Sequence, residues 1–127
     1  MTNHVGSTKH FSLQVRDQAG AASIVRLVIA EQHETGTLSI LTPAGEVAQQ
    51  FVLSHLKKSR DGTHLTCYVS GTTATLSLER DQNPPELHVS ACLFPQIFEA
   101  VYPIDPTEQE RFMKWISDLR ISILATA

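Results

Sequence analysis

The chain has 127 residues, with ten Lys and Arg against thirteen Asp and Glu, for a net charge of −3. That length suits a single domain, one able to bury roughly two-thirds of its unfolded surface without a disulfide or metal staple. A 42% hydrophobic fraction excludes an intrinsically disordered chain. The mildly acidic balance argues against a general nucleic-acid binder, which carries a basic face.

The opening MTNHVGSTK lacks the charged start and apolar stretch of a signal peptide. The longest apolar run, Ile24 to Ala30, is short and broken by Arg26, so no membrane partner is expected. The two cysteines, Cys67 and Cys92, stand far apart without a metal-ligand or redox spacing, which fits a reduced, cytoplasmic protein. Residues 1–9 read as a flexible N-terminus and 10–127 as one domain.

From His10 the pattern has a period of two. Phe11, Leu13 and Val15 alternate with Ser12, Gln14 and Arg16, the signature of a half-buried strand. Asp17 to Gly20 supplies a turn. The next run sets Val25, Leu27 and Ile29 on one face and Ile24, Val28 and Ala30 on the other, so both faces are expected to be covered. A short strand follows from Thr37 to Thr42. Thr42-Pro43-Ala44-Gly45 fits a type I turn, with Pro second and Gly fourth. Glu46 to Lys57 reads as a single alternating run. Asp61-Gly62 predicts a type I′ hairpin, whose central residues need positive φ. Leu65, Cys67 and Val69 then alternate with His64, Thr66 and Tyr68, and Gly71-Thr72 offers a type II′ turn into Leu76 and Leu78. Glu86 to Phe94 completes seven strands. Gln96 to Pro103 breaks the pattern and reads as a helical turn or irregular crossing.

A helix is predicted next. Asp105 is the N-cap, Pro106 takes the first helical position, and Glu108 completes a capping box. Phe112, Trp115, Ile116, Leu119 and Ile123 share one arc of that helix, while Met113, Ile121 and Leu124 lie off it. The expected core is Phe11, Leu13, Leu27, Ile29, Phe51, Leu65, Val69, Leu76, Val89, Phe112, Trp115, Ile116 and Leu119.

The fold class is therefore mainly β: an antiparallel meander of seven or eight strands, forming a barrel or half-barrel closed by a C-terminal amphipathic helix. In element order it resembles the pleckstrin-homology-like barrels. It is also similar to the calycin barrels if Phe98 to Tyr102 supplies an eighth strand. A PilZ-like barrel has a similar size, but its Arg-x-x-x-Arg and Asp/Asn-x-Ser-x-x-Gly elements do not occur here. Element order alone carries no function.

Chemistry is sparse. His4, His10, His33, His55, His64 and His88 have no zinc spacing, so no metal or other cofactor is expected. No nucleophile elbow or phosphate loop occurs, and Cys67 reads as a buried thiol. The Glu79/Asp81 and Glu108/Glu110 pairs read as solvated charge. A cationic cluster of Lys57, Lys58, Arg60 and His64, with His55 nearby, flanks the Asp61-Gly62 hairpin and is the candidate site for a small anionic ligand. Hydroxyls at Thr66, Ser70, Thr73, Thr75, Ser77 and Ser90, with Tyr68, form a candidate polar face. Ile121, Leu124 and Met113 are the candidate contact with a protein partner or a second copy. With no catalytic constellation, the sequence points to a non-enzymatic protein-interaction or scaffold module, with a homodimer among its forms. The alternative is a carrier or sensor of a small apolar or anionic ligand held inside the barrel.

Overall fold

The computed structural model describes residues 8–17, 19–69, 72–93 and 95–124. Four strands, β1 (Thr8–Arg16), β2 (Ala22–Ala30), β3 (Thr35–Leu41) and β4 (Val47–Leu53), form one sheet in chain order. The second sheet is built from β5 (Lys57–Lys58), β6 (His64–Val69), β7 (Thr72–Glu79), β8 (Glu86–Leu93) and β9 (Gln96–Pro103). The helix α1 (Pro106–Asp118) follows, and β10 (Ser122–Ile123) then returns to the free side of β5. Neighbouring strands pair antiparallel except β10 with β5, which run parallel. β1 comes alongside β9, and β4 alongside β6, but no ladder joins either pair among the described residues, so the strands form two sheets.

The mainly β class and the seven predicted strands are all present, with shifted limits. β1 begins at Thr8, so Thr8 and Lys9 belong to the sheet, opposite Ala30 and Ile29. The run predicted from Glu46 to Lys57 is two strands, because His55 takes a left-handed φ of 55° and turns the chain between them. Gln96–Pro103 is a full strand against β8. Its alternation is hard to read because Ile97, 70% exposed, occupies the outer face while small Ala100 occupies the inner one. The outer face of β2 is half-covered: Ile24 and Val28 are half-buried and Arg26 is exposed.

The turns obey their residues, with one correction. Gly45 N–H donates to Thr42 O at 2.8 Å, closing the expected turn. The Asp61-Gly62 turn is not type I′, since only Gly62 there has a positive φ, of 78°. Ser59 N–H instead donates to His64 O at 3.0 Å and Gly62 N–H to Ser59 O at 3.3 Å, which makes a longer loop. Gly62 lies flush on α1: a Cβ there would meet Met113 O at 2.5 Å. The Gly71-Thr72 turn involves residues outside those described.

α1 starts where predicted, with Asp105 extended at ψ 147° and Pro106 leading the first turn. The capping box does not form. The Asp105 side chain bonds no helical N–H, and Glu108 pairs with Arg111 at 2.6 Å. The helix also stops at Asp118, with Leu119 already extended at ψ 138°. Ile121, Ile123 and Leu124 therefore lie on an extended return and not on a helical arc.

The core fills the space between the inner sheet faces and α1. Phe11, Leu13, Leu27, Ile29, Phe51, Leu65, Leu76, Val89, Phe112, Ile116 and Leu119 are all buried as predicted. Trp115 is half-buried and stacks on Phe11 with ring centroids 4.9 Å apart. The Val69 side chain falls outside those described. Leu56, Leu87, Tyr102, Ile104 and Ile121 join this core as well.

Candidate functional site

The cationic hairpin does not assemble as a cluster. Lys57 and Lys58 alternate across β5, so Lys57 is exposed and Lys58 is buried at 8% exposure. Lys58 Nζ donates to Ser117 O at 2.7 Å and also to Leu119 O. Lys58 is thus committed within the fold, buried and bonded to two carbonyls of the chain. Arg60 is exposed at the loop. The residue after Arg60 is a carboxylate: Asp61 Oδ1 accepts from Thr63 Oγ1 at 2.6 Å, Ser59 Oγ at 2.8 Å and Thr63 N–H at 3.1 Å.

That arrangement also sets the imidazole. The Thr63 hydroxyl has a single proton, given to Asp61, so its oxygen accepts from His64 Nδ1–H at 2.8 Å. Nε2 is then the acceptor nitrogen of neutral His64. An open depression of about 480 Å³ beside it is lined by Asp61, His64, Glu79, Arg80, Asp81 and Gln109 among others. With three carboxylates in that lining, the depression offers a small anion little attraction.

The Thr63 and Ser59 hydroxyls, with the Thr63 N–H, hold the Asp61 carboxyl down at about 2, against an opposing contribution from burial. A carboxyl lowered on folding stabilises the folded state above its unfolded value of 3.8, and that contribution disappears as pH falls through about 2. Thr63→Val is expected to move the Asp61 midpoint up toward 3.8, read by carboxyl-carbon NMR titration. An unmoved midpoint would show that the hydroxyls do not hold this proton off.

The predicted contact residues also turn inward. Ile121 is buried at 9% exposure in the chain's own core, Met113 packs half-buried against that core, and Leu124 is half-buried. The cause is a polar strap. Glu31 Oε2 accepts from Arg120 N–H at 2.7 Å, Glu34 Oε2 from Ser122 N–H at 2.7 Å, and Lys58 O from Leu124 N–H at 2.7 Å. Glu31 is itself buried.

Strand register does unite the hydroxyls. Thr66 pairs with Thr75 and Thr75 with Ser90, in a row across the outer face of the second sheet, and Ser90 meets Glu99. His88 lies in the next row opposite Ser77, with Nε2 3.1 Å from Glu86 Oε1. Ser70 falls outside the described residues. Burial pushes the Cys67 thiol up, as an unreactive core position requires. Cys92 is half-buried.

Two spaces remain. A gap of about 10 Å³ between the sheets, lined by Leu27, Leu38, Leu53, Leu56, Leu65 and Leu76 among others, has room for one water at most. A shallow groove of about 530 Å³ runs beside the start of α1, where Arg16, Asp105 and Glu108 meet Pro43, Pro84 and Pro103.

The surface feature missed from the sequence is the edge of the first sheet. Among the described residues β4 pairs with β3 alone. Its stretch VAQQFVL carries no charge and no proline, and Val47 and Val52 are 54% and 73% exposed. Edge strands in isolated proteins are normally blunted by charge, proline, cover or a bulge; β4 has only the last, where Ile40 pairs with Gln49 but Leu41 with Val47. The signal was readable as a charge-free alternating run, but nothing in one strand says which strand ends a sheet. β9, at the edge of the second sheet, carries Glu99 and ends in Pro103. Comparison with known proteins finds no family model, no curated protein and no solved structure that matches the chain.

Proposed function

We propose that the chain is a non-enzymatic protein-interaction or scaffold module of the cytoplasm. Its frame is a half-barrel of the pleckstrin-homology-like or calycin-like kind, closed by α1. The observation that carries this reading is the β4 edge, a neutral strand with two exposed valines whose second side joins no ladder among the described residues, although it comes alongside β6. Such an edge accepts an added strand, with main-chain hydrogen bonds giving affinity and alternate side chains giving selectivity. The carrier reading draws no support from an interior gap of about 10 Å³, since ligand pockets run to roughly 300–1,000 Å³.

Native mass spectrometry of protein purified without denaturation, set against its denatured mass, tests the reading. The expected result is an assembly whose mass is a whole number of protein chains. A monomer carrying a discrete small-molecule adduct would overturn it in favour of the carrier.

A further inference from the structure

We propose that the outer face of the first sheet docks an amphipathic helix of another protein, one that carries a carboxylate within its apolar stripe. The inference rests on the module reading and adds a second surface to it. The four strands of this sheet contain no Asp or Glu, although the chain has thirteen. In its turns, Asp17 accepts from Ala19 and Ala21 N–H at 2.9 and 2.8 Å, and Glu31 and Glu34 hold the strap. Glu46, exposed, directly precedes β4. In a chain of net charge −3, this face is the one a carboxylate can approach.

Register lays the face out in rows. Ser12 pairs with Arg26, Arg26 with Ser39 and Ser39 with Gln50, so the middle row carries hydrogen-bond donors and one positive charge. Arg26 is exposed and makes no ion pair among the described residues. The Ser39 hydroxyl, at 6% exposure, has no hydrogen-bond partner among them, an uncommon state for a buried polar group. Val28 and Val52 stand in the row on one side, Ile24 and Val47 in the row on the other. Strands lie about 4.8 Å apart, so a carboxylate set over Ser39 is within reach of Arg26 from one neighbouring strand and Gln50 from the other. Rows on one face are about 6.8 Å apart along the strands, close to the roughly 6 Å between residues i and i+4 of a helix. A helix lying along the strands thus sets an acidic residue over the middle row, with apolar residues four before and four after it over the flanking rows. An anionic membrane fits less well. It is held by clusters of roughly four to eight Lys and Arg, whereas Arg16, the other arginine of this face, already donates to Gly20 O.

The test is selection of a displayed library of amphipathic helices, randomised along the apolar stripe, against the wild type. The expected result is enrichment of Asp or Glu at one stripe position, with apolar residues four before and four after. By fluorescence anisotropy those peptides should bind Arg26→Ala roughly tenfold more weakly, the loss of a charge-assisted hydrogen bond. Arg26→Glu should instead favour the same peptides with Lys in place of the acid. Arg26 is exposed, so circular dichroism should report an unchanged fold in both variants. No enrichment, enrichment without an acidic position, or binding indifferent to Arg26 would each overturn the proposal. Peptides that bind both variants at full strength would leave the module reading standing on another surface. Phosphatidylserine vesicles held by the wild type and released by Arg26→Glu, with no peptide enriched, would make the face a lipid surface instead.

Discussion

Phe112→Ala is expected to cost about 4 kcal/mol, the upper range for removing a buried aromatic ring. Phe112 is wholly buried and projects from α1 into the space between the sheets. Its ring meets Phe11 edge-on at 6.2 Å; Phe11 in turn stacks on Trp115 at 4.9 Å, and the Arg111 guanidinium lies over the Phe11 ring, 5.0 Å from its centroid. Truncation thus loses the transfer energy of the ring and opens a gap against a rigid aromatic neighbour that cannot collapse into it. In a domain whose whole stability is about 5–15 kcal/mol, that is a large share. Urea unfolding should show the midpoint falling steeply with little change in slope. Ile97→Ala, at a residue 70% exposed, should stay within about 0.5 kcal/mol of the wild type. A Phe112→Ala loss as small as that of Ile97→Ala would mean that α1 does not close the core.

How much of this was legible follows from how local each signal is. The alternation of Phe11, Leu13 and Val15 is a property of one strand, and it placed those side chains inside. The arc of Phe112 and Ile116 did the same for α1. Ends were harder, because they depend on residues far away in the chain. Nothing near Asp118 says that the helix stops there. It stops because Glu31 and Glu34, on the turn between β2 and β3, accept the backbone N–H groups of Arg120 and Ser122. The separation of Lys57 from Lys58 was hidden for a related reason: charge counts add along a sequence, whereas strand parity sends neighbours to opposite sides. The β4 edge needed the sheet order, which no single strand encodes.

Lys58→Ala is expected to cost about 3 kcal/mol, although Lys58 and its neighbour Lys57 look interchangeable in the sequence. α1 has no basic residue in its last turn. Its C-terminal carbonyls, which have no partners within a helix, are served from outside by Lys58 Nζ at Ser117 O and Leu119 O. A cation there also complements the negative end of the helix dipole. Alanine removes the donor and the packed alkyl stem together, and it leaves two carbonyls in a site from which water is largely excluded. Lys58→Met restores the stem alone, so it should recover only part of the loss. Lys57→Ala, on the exposed side of the same strand, should change stability by less than about 0.5 kcal/mol. The effect should also be local before it is global. β10 is held to β5 beside Lys58, so amide exchange at Ser122 and Leu124 should quicken in both Lys58 variants while exchange in β7 and β8 changes less. Wild-type stability and unchanged exchange in Lys58→Met would show that the ammonium group does not hold the end of α1, and that packing of the stem alone keeps the strap in place.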